Sequence, residues 1–64
     1  MRALGYALGA DGSTMYRIGE KTFFLYPKPF GWLLLLERKG WLDRRFDFGS
    51  RRAALLWIEN YAAR

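Results

Sequence analysis

The acid–base chemistry open to this 64-residue chain rests on six carboxylates: Asp11, Glu20, Glu37, Asp43, Asp47 and Glu59. The chain has no histidine and no cysteine. Composition thus rules out an imidazole-activated nucleophile, a thiolate and a His- or Cys-ligated metal. Asp43 and Asp47 fall on one side of a strand, but the strand rise sets them about 13 Å apart, too far for a paired acid and base. Asp11 stands in a turn signal with Gly12. Ser13 belongs to that turn, and Ser50 stands where a helix needs a cap. The glycines punctuate turns and do not form a phosphate-cradling loop. The expectation is a non-enzymatic protein with no catalytic residue, no metal, no cofactor and no small-molecule substrate.

The cations are a different matter. The formal net charge is +5, and six of the eleven Lys and Arg residues lie between Arg38 and Arg52. They are Arg38, Lys39, Arg44, Arg45, Arg51 and Arg52, interrupted by Asp43 and Asp47. Trp41 sits among them and Trp32 just before. Arginine forks suit phosphate, and indoles suit stacking on bases or sugars, so nucleic acid is the partner this cluster fits. The same residues would also serve as solubilising charge, some paired with Asp43, Asp47 or Glu59. Arg51 and Arg52 at a helix start oppose the macrodipole, a local cost that favours a binding role or an anion there.

Turn signals cut the chain into short, evenly spaced runs. Asp11-Gly12 suits a two-residue hairpin turn that would pair Leu8 with Met15 and Ala7 with Tyr16. Gly19-Glu20 suits a type II′ turn. Pro27-Lys28-Pro29 removes two backbone donors and should end a strand. Lys39-Gly40 closes a further hairpin. The strand-like runs are Arg2–Leu8, with Gly5 and Ala7 on a small-residue side, then 14–18, 21–26, 31–37 and 41–48. Ser50 caps a helix whose buried stripe is Ala54, Ile58, Tyr61 and Ala62. Leu55 and Trp57 lie at its margins, and Leu56 points away. These elements make one small α+β domain over 1–64. It is an antiparallel β-meander of four or five strands, followed by one C-terminal helix packed on one sheet face.

Within that frame, "WLLLL" at Trp32–Leu36 is anomalous. A half-solvated strand alternates, and this one does not, as expected of a strand covered on both faces. Strand 41–48 does alternate, with Leu42, Phe46 and Phe48 against Trp41, Asp43, Arg45 and Asp47. A two-residue turn at Lys39-Gly40 would set Leu33 opposite Phe46. A three-residue loop Arg38-Lys39-Gly40 would set Leu36 opposite Leu42. The second is preferred because it gathers Trp32, Leu34, Leu36, Leu42, Phe46 and Phe48 on one face. In either register large apolar side chains remain on the far face, at about 1.5–3 kcal/mol of unused burial each. The far face then meets a second copy, another protein or a flat ligand; alternatively, the Met1–Ala10 arm or a curling sheet covers it. The candidate interface residues are Trp32, Leu33, Leu35, Trp41 and Leu56.

A domain of this length is core-starved, and 19% aromatic content compensates in part. Trp32–Leu36 is far shorter than the roughly 20 residues of a spanning helix, so no membrane role is expected. Met1–Ala10 is too short and too interrupted by Gly5 and Gly9 to match a secretory signal. Absent cysteine fits a cytoplasmic location. The lack of Gln, the single Asn60 and the preference for Arg over Lys point towards a thermophile or a GC-rich genome.

From Gly31 to Tyr61 the chain resembles the three-stranded-sheet DNA-binding modules of the plant AP2 type and the arm-binding domains of phage and transposon integrases. Gly31-Trp32, the basic turn Arg38-Lys39-Gly40, Arg45-Phe46, Ala53-Ala54 and Trp57 occupy the places of their motif. The resemblance covers about half the chain. It implies a sheet face that reads the DNA major groove, here with Trp32, Trp41, Arg44 and Arg45. Those families display basic and polar residues on the central strand, where this chain carries Leu33–Leu36. Two functions follow as expectations. One is a nucleic-acid-binding module that works as a homodimer. The other is a protein-interaction or self-associating module that uses the apolar outer face.

Overall fold

The computed structural model describes residues 4–62. Five strands, β1 (Leu4–Ala7), β2 (Thr14–Ile18), β3 (Lys21–Lys28), β4 (Gly31–Arg38) and β5 (Trp41–Phe48), precede one helix, α1 (Arg51–Ala62). All neighbours are antiparallel, in the sheet order β1-β2-β3-β4-β5. This is the α+β meander with a terminal helix that the sequence predicts. The sheet is open, with β1 and β5 as its edges.

The turns follow from their residues. Gly19 takes φ 62° between the paired Ile18 and Lys21, as a type II′ turn requires. Lys39 and Gly40 take φ 55° and 83° between the paired Arg38 and Trp41, which is a type I′ turn of two residues. At Gly31, φ is 118° and an added Cβ would lie 2.5 Å from the Phe48 carbonyl oxygen, so only glycine fits. Ser50 Oγ accepts a hydrogen bond from the Ala53 N–H at 3.2 Å and caps α1.

Three local expectations need correction. Ala7 pairs with Thr14 and Gly5 with Tyr16, two residues away from the expected pairing. A loop held by Leu8 N–H donating to the Ser13 carbonyl (2.8 Å) and Ser13 N–H donating to Asp11 Oδ1 (3.0 Å) replaces the tight turn. A shift of two keeps every side chain on its face, so Gly5 still lies beneath the Tyr16 ring, 2.7 Å from where its Cβ would stand. Second, Pro27 does not end β3. It pairs with Trp32 in a stretch beyond Leu25, the last residue of β3 to pair with β2, where a missing donor costs nothing on that side. Third, the β4–β5 hairpin has the two-residue turn but keeps neither expected register along the strands, and the preferred three-residue loop is not formed. The turn has two residues, so Glu37 opposes Leu42, but a bulge then makes Leu36 oppose Arg44 and Leu34 oppose Phe46. Asp43 is the extra residue. Phe46 and Phe48 thereby join Trp32, Leu34 and Leu36 on the helix side, while Leu42 is exposed on the side of Glu37.

The core lies between α1 and one face of the sheet. Phe23, Leu25, Leu34 and Leu36 bury completely or nearly so against Ala54 and Ile58. Trp57 fills the gap towards β5, with ring centroids 4.6 Å from Phe46 and 6.0 Å from Phe23, and Tyr61 lies 5.3 Å from Phe23. The Lys21 ammonium donates to the Tyr61 hydroxyl and ties the end of the helix to β3. Replacing Trp57 by Ala should cost about 3 kcal/mol in chemical denaturation, the lower end for a large aromatic because the ring is partly exposed. Leu56→Ala, at a position 49% exposed on the outer helix surface, should cost less than about 0.5 kcal/mol. Equal losses at the two positions would contradict this packing.

Candidate binding surfaces

The basic cluster is distributed around the free edge of the sheet. Among the described residues β5 has no outer neighbour, and alternation along it sends Arg44 and Arg45 to opposite sides. Arg44, across from Leu36, rims a depression of about 240 Å³ beside Lys21, Phe46, Trp57 and Tyr61. Arg45, across from Leu35, faces away from the helix. Arg38 and Lys39 occupy the hairpin tip with Trp41, which is 79% exposed. Together with Glu20, Leu42 and Asp43 they line a groove of about 500 Å³. Lys39 Nζ stands 3.9 Å from Glu20 Oε2, a loose pair between exposed groups. Arg51 and Arg52 start α1 at the other end of β5, roughly 20 Å away by the rise of the intervening strand. Arg51 lies 6.0 Å from the Trp32 ring centre, so part of its role is local. Arg52 is exposed.

Pairing places the candidate interface residues on several surfaces. Leu33 and Leu35 point away from the helix. Trp32 lies on the helix side, packed against the core and beside Gly12. Trp41 is at the tip, and Leu56 is on the outer side of α1. The four residues carried over from the resemblance, Trp32, Trp41, Arg44 and Arg45, do not share one face.

The larger apolar surface is one that sequence reading located only in part. On the sheet face away from α1, the register aligns Tyr6, Met15, Phe24, Leu35 and Arg45 in one cross-strand row. Tyr26 and Leu33 extend it by a second row that ends at Asp47. Phe24 and Tyr26 stack with ring planes 7° apart. Tyr6 is 47% exposed, and Met15, Phe24, Tyr26, Leu33 and Leu35 are half-buried. Tyr6, Met15, Phe24 and Tyr26 were not among the candidates. The signal for two of them was available, because "FFLY" in β3 fails to alternate just as the leucine run does. Among the described residues nothing covers this face: Leu4–Ala7 pairs as an edge strand within the sheet, and the sheet does not close. Arg2, Ala3 and Met1, part of the expected arm, lie outside the described residues.

Charges of both signs border the apolar rows: Arg17, Glu37, Arg45, Lys28 and Asp47. Lys28 Nζ donates to Asp47 Oδ1 at 2.6 Å, and this hydrogen bond holds the Asp47 carboxyl below the usual carboxylate range. The Ser13 backbone N–H does the same for Asp11. Among the described residues no group of three or more acidic side chains is placed to hold a metal ion, and no helix is long and apolar enough to cross a membrane. Comparison with protein-family models, with curated proteins and with solved structures gave no match.

Because the folded carboxyl of Asp47 sits lower than the unfolded one, its contribution is present above the ordinary carboxylate pKa and disappears as pH falls through the folded value. Asp47→Asn should therefore flatten the acid limb of the stability–pH curve below about pH 4, leaving the part due to Asp11. An acid limb identical to that of the unsubstituted chain would show that the Lys28–Asp47 pair contributes nothing.

Proposed function

We propose that this protein is a small, basic, non-enzymatic module that binds nucleic acid along the free edge of its sheet. The observation that supports this reading is the pairing of a protruding indole with cations at the β4–β5 tip. Trp41 stands exposed between Arg38 and Lys39 on one side and Arg44 on the other. A base or sugar stacks on the indole while the flanking cations hold phosphate. Arg52 at the far end of β5 extends the track. The groove at the tip contains Glu20 and Asp43 as well as Arg38 and Lys39, so backbone contact along the edge, and not the groove itself, supplies the attraction.

The second reading, a protein-interaction module, is favoured by a different observation: the uncovered row Tyr6, Met15, Phe24 and Leu35. The two use different surfaces and are compatible.

Affinity for a short oligonucleotide should fall with salt at a log–log slope of about −3 to −4, for contacts from Arg38, Lys39, Arg44 and Arg52. The double substitution Arg38→Ala/Lys39→Ala should reduce that slope by about 2, and Trp41→Ala should weaken binding by about 1–3 kcal/mol with little change in slope. Fluorescence anisotropy at several salt concentrations measures both. Binding that is absent, or insensitive to salt, would remove the proposal.

A further inference from the structure

We infer that the open sheet face is the interface of a two-fold homodimer in which β3 of one copy lies along β3 of the other. The inference does not depend on the nucleic-acid reading. It rests on how the register arranges side chains on that face.

The face is ordered in rows. One row holds Arg17 on β2, Thr22 on β3, Glu37 on β4 and Leu42 on β5; the next holds Tyr6, Met15, Phe24, Leu35 and Arg45. A two-fold axis parallel to β3, between two sheets packed face to face, lays β2 of one copy over β4 of the other and β1 over β5. Each row then meets itself in reverse order. Arg17 meets Glu37 of the second copy, and by symmetry Glu37 meets Arg17. Met15 packs on Leu35, Phe24 on Phe24 and Tyr26 on Tyr26. Arg45, at one end of its row, meets Tyr6, the exposed aromatic at the other end. Aligned sheets cross at about 30°, which displaces strands next to the axis by only about 3 Å, within reach of Arg and Glu side chains.

The Arg17–Glu37 match belongs to the axis parallel to β3. A two-fold axis across the strands through the Phe24 row would place β5 over β5 and set Arg45 against Arg45 and Glu37 against Leu33, a like-charge contact and a desolvated carboxylate. An axis midway between the Phe24 and Tyr26 rows would set Arg45 against Asp47 but leave Arg17 and Glu37 apart, so exchanging those two charges distinguishes it. Within one chain Arg17 and Glu37 flank Thr22 on either side of β3, about 9.6 Å apart at the backbone, and among the described residues they do not pair with each other. The area lies at the lower limit of specific interfaces. Five strands of this length present about 500 Å² in projection. Side-chain relief raises that towards the roughly 600 Å² per partner at the lower end of specific interfaces. The face also has the anatomy of one, with an aromatic-rich apolar centre and a charged rim of both signs. A dimer so formed is a four-layer α-β-β-α assembly. Arg45 is committed to the interface, and the Trp41 tips stay free.

The experiment is sedimentation of the full chain with a charge exchange. The unsubstituted chain should sediment as a dimer at about 100 µM, and Arg17→Glu and Glu37→Arg should each weaken dimerisation by at least about tenfold. An equimolar mixture of the two variants should restore it, since each copy then meets the opposite charge at both contacts. Circular dichroism establishes that each variant is folded, and Leu35→Asp supplies a further variant that should be monomeric. A monomeric unsubstituted chain at that concentration would overturn the inference. Folded variants that dimerise normally, or a mixture that fails to regain dimer, would overturn it too. Anisotropy with an oligonucleotide on the same samples separates the two claims: a monomer that binds nucleic acid defeats only this inference, and a dimer that does not bind defeats only the proposed function.

Discussion

A helix of twelve residues is about 18 Å long and 10 Å wide, and the five-stranded sheet spans about 19 Å across its strands. The helix can roof one face and no more. Everything else in this molecule follows from how the chain handles that shortfall. On the roofed side it concentrates its largest rings. Trp57 bridges Phe46, Phe48 and Phe23, and Tyr61 extends the contact to Lys21. On the buried stripe of the helix Ala54 is small and fully buried, Ile58 fills the core beside it, and the aromatics close the sides. Without cysteine for a disulfide, this aromatic seal is what a chain of this size has to hold its single core.

On the other side, the same strands carry apolar residues that the helix cannot reach. β3 and β4 are central, and each is apolar on both faces, Phe23 and Leu25 against Phe24 and Tyr26, and Leu34 and Leu36 against Leu33 and Leu35. The residues of the open face remain half-buried by shielding one another. That shielding limits the cost to an isolated subunit without removing it. The charged rim gives the face an orientation, because Arg17 and Glu37 lie on opposite sides of β3.

The basic edge has a separate logic. An eight-residue edge strand with unpaired backbone groups invites association with another strand, and charged side chains oppose that. Arg44, Arg45, Asp43 and Asp47 are placed on β5 accordingly. The bulge at Asp43 adds twist and ends the apolar alternation before the tip, so that Trp41 and Leu42 extend outward. Edge protection and phosphate binding make the same demand on residue type, so the cations by themselves do not distinguish them.

Local chemistry made much of the fold legible from sequence. The order of strands and helix, the II′ turn at Gly19-Glu20, the Ser50 cap and the stripe through Ala54, Ile58 and Tyr61 each depend on residues a few positions apart, and a short window contains them. The double-sided character of Leu33–Leu36 was legible for the same reason, since period-two alternation is a local property. Pairing between distant residues was not. The two-residue shift of β1 against β2, the passage of β3 through Pro27 and the extra residue at Asp43 are settled by which partner strand lies alongside, and no spacing within one segment encodes that. That Arg44 and Arg45 point apart follows from alternation alone, but pairing decides that Trp32 packs against the core beside Gly12. Only pairing could show that Tyr6, Met15, Phe24 and Leu35, distributed over thirty positions of chain, form one surface.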